Sequence, residues 1–543
     1  MTLIHGLRFD NIRGDIFGGL TAAVVALPLA LAFGVASGAG PMAGLWGAIL
    51  VGFFAALFGG TPSQISGPTG PMTVVMAVII TKYAHEPALA FSVVMMGGAF
   101  QIAFGALRLG SYISLVPFTV ISGFMSGIGC IIIILQIAPL LGQTTPGGGT
   151  LAVLAALPDI LSGLKIDAAC IGLGALAIVY LTPRAIDRLL PAPLIALLAG
   201  TAVVWAFFPD VPTLEGIPVG LPDLQLPSFS MKALPDMIGS ALILALLGSL
   251  DSLLTSLIAD SVTHSHHNSD RELIGQGIGN LIAGVFGAIP GAGATMRTVV
   301  NVRAGGGTPI SGILHAVVLL AVVLGMGPLA ERIPHAVLAG ILFKVGFDII
   351  DWAYIKRIPG APRAGVILMF VVLGLTVFVD LIMAVAVGVV AASLLFVKRM
   401  SDLQLENIRA SDGELAPMPM SAAEDAALEH AADQVLLYHF SGPVSFGAAK
   451  GLARRVVPGD SHKALILDMT EVTFVDTSAA MALADILAKS NAKGLLVYFV
   501  GLREPIEKVL SRLGVLDDLP AGQCHVTRLA AIEAATGALK NEL

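Results

Sequence analysis

The sequence predicts an all-α polytopic membrane domain of about fourteen transmembrane segments, followed by a smaller α/β domain. Three observations carry this expectation. The 543 residues are 56% hydrophobic and 12% charged, and the apolar residues come in long blocks instead of alternating with polar ones as a soluble core requires. Between Ile16 and Val397 a lysine or arginine stands mostly in short loops, whereas beyond Met400 charge has ordinary soluble density. After residue 434 the pattern turns into short β-type runs around a helical stretch. The expected domains are therefore 1–400 in the membrane, a linker over 401–433 rich in Ala, Glu, Asp and Met, and 434–543 as the α/β domain.

Taken in order, the first fifteen residues lack the apolar core and small-residue cleavage site of a signal peptide, so the block 16–36 is expected to stay as a span. Blocks follow at 42–58, 71–83, 89–106, 113–140, 167–182 and 192–208. After a stretch with acids and prolines, 209–234, come 235–259, 272–288, 295–303, 309–327, 334–350, 364–379 and 381–398. Two of these, 71–83 and 295–303, fall well short of the roughly 20 residues a helix needs to cross a bilayer. Orientation follows from basic residues. With Arg8 and Arg13 inside, the loops predicted to be cytoplasmic hold Arg108, Arg184, Arg188, Arg271, Arg303, Lys356, Arg357, Arg363, Lys398 and Arg399, while 209–234, predicted outside, has only Lys232. Both termini are thus expected in the cytoplasm of a multi-pass protein of the cell (inner) membrane. An even span count fits only if both short segments are crossings.

The two short segments resemble each other. "ALFGGTPSQISGPTGPMTVV" (56–75) lies over "GVFGAIPGAGATMRTVV" (284–300), matching Phe58 with Phe286, Gly59 with Gly287, Pro62 with Pro290 and, after a gap, Thr73-Val74-Val75 with Thr298-Val299-Val300. Each copy follows the second crossing of a seven-span half. Corresponding broken segments in two halves mark an inverted-repeat transporter.

A helix broken within a membrane exposes N–H groups of partial positive charge that lipid cannot satisfy. Two such N-termini aimed at one spot make an anion site without a lysine. Glycines such as Gly70 let the backbone approach the ligand, and Thr69, Thr73, Thr295 and Thr298 offer hydroxyls. The alternative is a pair of breaks filled by packing alone. Asp251 in "ALLGSLDSLLTSLIADS" is an acid inside an apolar span, with Thr255 four residues on along the same face. With the free carbonyls of a broken helix they form a hard-oxygen set for a small cation such as sodium. Arg297 either neutralises Asp251 or contributes a bidentate donor to an oxyanion.

Other chemistry is disfavoured. "THSHHNSD" (263–270) reads as a solvated loop more readily than as a zinc site, and three scattered cysteines make no disulfide or metal framework. No Ser-His-Asp, paired-carboxylate or nucleotide motif stands out, so no enzyme activity is expected. A net charge of −7 without a basic face argues against nucleic acid.

The segments "GDIFGGLTAAVVALPLALAFGVASGAGPMAGLWGAILVGFFAALFGGTP", "GPTGPMTVVM", "VISGFMSGIG", "HNSDRELIGQGIGN" and "PGAGATMRTVV" resemble the SulP anion transporters, the family of sulfate permeases, prestin and pendrin. "GSLDSLLTS", "GAGATM", "TVVNV" and "VLAGILFKVGFDIIDW" are most similar to its BicA-type sodium-dependent bicarbonate branch, and "FVDTSAAMAL" resembles the hallmark loop of a STAS domain. The resemblance covers nearly the whole chain. It implies seven plus seven inverted repeats, a core domain moving against a gate domain like an elevator, a homodimer, and a cytoplasmic STAS domain that binds a cytoplasmic regulator. It also implies a sodium site at Asp251, Thr255, Gly293 and Thr295, and an anion site at Thr69, Ala294, Thr295 and the two helix N-termini. Arg297 is a departure: it resembles the arginine of the animal exchangers and is not required by the bicarbonate branch. Ser478 matches the serine phosphorylated in related anti-sigma-factor antagonists, although a helix N-terminus also favours a small polar residue there. The leading expectation is sodium-dependent bicarbonate symport. The competing ones are transport of sulfate or another oxyanion by proton symport or exchange, and a membrane-anchored STAS regulator or anion-sensing scaffold.

Overall fold

Apolar blocks in lipid become helices because only a helix satisfies its own backbone there. In the computed structural model, helices of nine residues or more follow the expected spans one for one through residues 12–406. The first seven are α1 (Ile12–Ala36), α2 (Pro41–Phe58), α3 (Gly70–Lys82), α4 (Pro87–Ala106), α5 (Phe118–Leu140), α6 (Ile166–Leu181) and α7 (Ala192–Phe207). The second seven are α8 (Leu234–Thr263), α9 (Ser269–Val285), α10 (Thr295–Arg303), α11 (Pro309–Ala330), α12 (His335–Ile349), α13 (Arg363–Phe378) and α14 (Leu381–Glu406). The structure describes residues 5–541 except 114–116, 147–148, 188–189, 215–221, 223, 380, 412–417, 419, 432–433, 448, 450, 452–455, 457–460 and 518.

Proline opens α2 (Pro41) and α4 (Pro87), where its absent N–H would have no intrahelical partner in any case. Side-chain packing sorts the helices into two groups. One holds α1–α4 with α8–α11: α9 packs against α2 and α4, and α11 against α1 and α2. The other is built on α5, which packs against α12 and α13, with α12 against α6 and α6 against α7. α1 and α3 carry the contacts between the groups, touching α7, α5 and α12. α4 and α9 meet at glycine: a Cβ on Gly277 would lie 2.6 Å from the Gly98 carbonyl oxygen, so nothing larger permits that approach.

The chain divides into Met1–Val390 and Ala391–Leu543. Residues 401–433, expected as a linker, hold ordered pieces of the second unit. They include the end of α14, β3 (Arg409–Ala410) and α15 (Ala422–Glu429), the last started by a capping box of Ser421 and Glu424. The remaining elements are β4 (Val435–Val444), β5 (Ala464–Val475), α16 (Thr477–Ala492), β6 (Leu496–Val500), α17 (Glu504–Arg512), β7 (Cys524–His525) and α18 (Arg528–Asn541). The sheet runs β3-β4-β5-β6-β7, antiparallel at β3–β4 and parallel from β4 onward. Period-2 side chains serve two cores. Leu465, Leu467 and Phe499 pack with Leu483 and Ile486 of α16 and Leu510 of α17, while Ile466, Tyr498 and Val500 pack with Ile532 and Ala535 of α18. Ser478 is exposed in the first turn of α16, whose N-cap is Asp476, accepting from the Ala479 N–H at 2.8 Å.

A polar chain crosses this sheet. His439 of β4 places Nδ1 2.7 Å from Asp468 Oδ2 and Nε2 3.3 Å from Glu471 Oε2, both on β5. Arg528 Nε stands 3.5 Å from the same Asp468 oxygen, and Arg409 faces His439 across the β3–β4 register. The hydrogen bond to Asp468 leads the effects that hold the imidazole above its ordinary value. Burial pushes Asp468 up, but hydrogen bonds from His439 and Thr470 outweigh it and hold that carboxyl below its ordinary value. The raised imidazole stabilises the fold fully below the unfolded histidine value of about 6.5 and ceases to as pH climbs through the folded value. Amide exchange of the full-length protein, corrected for intrinsic base catalysis, should therefore show severalfold weaker protection of β4 and β5 at about pH 9 than at about pH 6. His439→Gln should flatten that dependence; an unchanged slope in the variant would refute the assignment.

Candidate functional site

At 1.5 Å per residue α3 spans about 20 Å and α10 about 14 Å, each a half-helix beginning inside the membrane domain. Just ahead of them the chain is extended. β1 (Ser66–Gly67) and β2 (Ala292–Gly293) pair antiparallel, Ser66 with Gly293 and Gly67 with Ala292. The contact continues beyond the Ser66–Gly293 end: Ala294 N–H donates to the Ile65 carbonyl at 2.8 Å, and Ile65 N–H donates to Thr298 Oγ1 at 3.0 Å. The strand pair seats the two helix N-termini, capped by Thr69 and Ala294, beside each other.

α8 lays a polar face on this centre. Thr255 Oγ1 donates to the Gly293 carbonyl at 2.9 Å and stands 2.8 Å from Thr295 Oγ1. Ser252 Oγ accepts from the Gly293 N–H at 3.0 Å. One turn from Thr255, Asp251 is 8% exposed, its Oδ2 without a hydrogen-bond partner, and it faces Thr69 and Arg297. The Thr69 hydroxyl, which faces that carboxyl, is likewise buried and has no partner of hydrogen-bond geometry among the described residues. A buried carboxylate oxygen without a hydrogen-bond donor costs roughly several kcal/mol, set against the Arg297 charge that it faces beyond ion-pair distance. The donor set of Asp251, Thr255, Gly293 carbonyl and Thr295 is all hard oxygen, which fits a small cation.

The structure brings Thr69, Gly70, Ala294 and Thr295 together at the paired N-termini and sets Asp251, Thr255 and Gly293 beside them. Thr73 has a different part from the expected donor. Its Oγ1 donates to the Thr69 carbonyl at 2.7 Å, so its proton is used inside the first turn of α3. Thr298 is occupied with Ile65. Arg297, 2% exposed, forms no ion pair with Asp251; its guanidinium passes Gly67, whose φ is +151° and whose Cβ would lie 2.8 Å from Nη1, and donates to the Pro68 carbonyl. Arg297 Nη1 is left without a partner. In the 263–270 loop, His267 binds Asp260 Oδ2 at 2.7 Å and Ser269 Oγ at 3.0 Å, a staple ahead of α9.

Sequence reasoning missed the residues that hold the breaks open. Glu272 of α9, 1% exposed, accepts from the Gly60 and Thr61 N–H groups at 2.9 Å each, from Gln64 Nε2 at 2.7 Å and from Gln276 Nε2 at 2.8 Å. Gln276 also donates to Ser66 Oγ at 2.5 Å, and Asn280 both donates to the Gly291 carbonyl (2.9 Å) and accepts from its N–H (2.7 Å). These three lie at i, i+4 and i+8, one face of α9, and the spacing in "ELIGQGIGN" was the available signal. Asp15 of α1 does the same for the α10–α11 loop, accepting from the N–H groups of Gly307 (2.8 Å) and Thr308 (2.9 Å) and the Thr308 hydroxyl (2.7 Å).

Two broken helices meeting at a buried polar centre, within a many-helix membrane domain, are the architecture of a membrane-integral transporter. The chain belongs to the sulfate permease family, whose model matches residues 12–372, and a STAS domain matches residues 429–527. It is 48% identical over 544 residues to the bicarbonate transporter BicA of Picosynechococcus sp., covering 98% of this chain and 96% of that protein, and 47% identical over 546 residues to BicA of Synechocystis sp., covering 99% and 97%. Among solved structures it is similar to the transmembrane domain of a cyanobacterium bicarbonate transporter BicA (53% identity, TM-score 0.68, 71% of this chain and 100% of that one). Murine Slc26a9, an anion transporter in the inward-facing state, shares the fold at 19% identity and TM-score 0.83, over 98% of this chain and 92% of that one.

Glu272→Ala leaves at least two buried N–H groups without acceptors, at about 1–3 kcal/mol each. The variant should lose several degrees or more of thermal midpoint in detergent; a wild-type melting curve would show that the clamp is dispensable.

Proposed function

We propose that the protein is a secondary anion transporter that imports bicarbonate together with sodium. The observation that carries this reading is Thr295. Its backbone starts the α10 N-terminus, where an anion is favoured by unpaired N–H groups, and its hydroxyl joins Thr255, 2.8 Å away, beside Asp251, where a cation is favoured. One residue thus belongs to both half-sites, so filling the cation side orders and neutralises the anion side, a coupling free energy between neighbouring sites. Thr69, Gly70, Ala294 and Arg297 would complete the anion shell, with Thr73 placing the Thr69 carbonyl. Near-full-length similarity to two bicarbonate transporters supports the choice of anion.

The paired half-helices support a seven-plus-seven inverted repeat, with the α1–α4 and α8–α11 group as a core sliding against the rest in elevator fashion. The basic loops support a cell-membrane protein with both termini cytoplasmic, and membership of the sulfate permease family with a STAS domain supports adding a homodimer and a cytoplasmic regulator to the proposal. The unpartnered Nη1 of Arg297 favours a second reading, a larger oxyanion such as sulfate carried by proton symport or exchange.

Uptake of labelled bicarbonate into proteoliposomes separates these. An inward sodium gradient should raise uptake roughly 5- to 150-fold, the usual span of site coupling. Identical uptake with and without sodium would sink the symport, and strong competition by sulfate with rates following the pH gradient would favour the second reading. Asp251→Asn should fold normally and lose the sodium response; a retained response would remove Asp251 from the cation site.

A further inference from the structure

A cavity of about 1060 Å³ opens where α1, α3, α5 and α13 end and α12 begins. Lys82, Lys165 and His335 line it, and no carboxylate does among the described residues. Lys82 is held 3.0 Å from Asp236, which lies outside the lining. Beyond this cavity lies a second of about 10 Å³, scarcely the space of one water, which reaches Thr73 in the first turn of α3. Phe33, Ile132 and Leu342 make its wall apolar. The walls of the two cavities share six residues, of which Gln136 of α5 is the polar one. It is 6% exposed, and its amide forms no hydrogen bond with the described residues.

We infer that Gln136 is the selectivity residue of the passage between the large cavity and the paired helix N-termini, recognising a small oxyanion that carries its own hydroxyl. The inference rests on the transport reading above. An anion squeezed past Phe33 and Ile132 must shed water, and an apolar ring gives nothing in return. An unengaged amide supplies two N–H donors to the anion's oxygens and one carbonyl to accept its O–H. A hydrogencarbonate-type monoanion uses both functions. A fully deprotonated oxyanion leaves the carbonyl unanswered and its lone pairs facing the anion. Gln136 belongs to the helix group opposite to α3, so its contact is made in passage and is released when the groups move apart. Lys165, in a lining without a carboxylate among the described residues, gives the large cavity a positive bias ahead of this step.

The test compares wild type, Gln136→Leu, Gln136→Asn and Gln136→Glu in proteoliposomes, with labelled bicarbonate and sulfate as competitor. Gln136→Leu should lower uptake per KM for bicarbonate roughly tenfold to hundredfold, the effect of one hydrogen bond to a charged group, and relax the preference over sulfate. Gln136→Asn should rescue part of it and Gln136→Glu should block entry. Sodium-induced thermal stabilisation, which reads the Asp251 side, should stay at the wild-type level in all three. Unchanged bicarbonate kinetics and unchanged sulfate competition in Gln136→Leu overturn the inference while wild-type uptake upholds transport. Absence of anion uptake in wild type overturns the transport reading instead. An independent arm places Gln136→Cys in a background with Cys130, Cys170 and Cys524 replaced by serine. A charged, membrane-impermeant thiol reagent should modify it and bicarbonate should slow the reaction; lack of modification in an active variant removes Gln136 from the passage.

Discussion

Every feature of the membrane unit depends on one constraint: a backbone interrupted inside lipid must find partners for its N–H and C=O groups within the protein. Two such interruptions occur among the described residues, and they are partly each other's solution. Strands of two residues each satisfy one another at the centre, and what they leave over is taken up by α9. Glu272, Gln276 and Asn280 reach the first break, the strand and the second break in turn. The two helix N-termini are what this accounting leaves over, and the proposed site is built on them.

Much of this was legible beforehand. The fourteen apolar blocks located the helices, because length and composition suffice for that when the solvent is lipid. Most ends fall within a few residues, although the last helix runs on to Glu406 beyond the block 381–398 and α5 begins only at Phe118. The two short segments were recognisable from Gly and Pro clustering and from their matching offsets, and Asp251 from the rarity of an acid in a span. The strand pairing and the hydrogen bonds of Arg297 and Thr73 were not legible. A two-residue strand has no pattern of its own, and which carbonyl a guanidinium reaches is fixed by the approach of chain segments 229 residues apart. The α9 ladder was readable in principle, but its polar residues sit among glycines and small residues that dominated the reading. In the second unit, β3 was hidden in a segment whose composition suggested a linker, since an edge strand of two residues depends on its neighbour alone.

On the proposed function, a centre without a buried lysine attends to charge of both signs: the helix N-termini would give a fixed partial positive potential that cannot be titrated away, and oxygen donors from α8 would give a cation its own side. Where the two meet, at Gly293 and Thr295, backbone and hydroxyl divide the work. Rigidity follows from the close glycine contact of α4 with α9, which leaves no slack for the breaks to drift apart.

The strand pair has a consequence for how the protein is made. Residues 59–70 leave the ribosome more than 200 residues before Glu272, Gln276, Gly293 and Thr298, the groups that complete their hydrogen bonding. Until then the first half has a break exposed to membrane with its polar groups unmatched, and α3 is too short to be stably inserted alone. A chain ending before residue 272 therefore lacks every one of these partners for the first break.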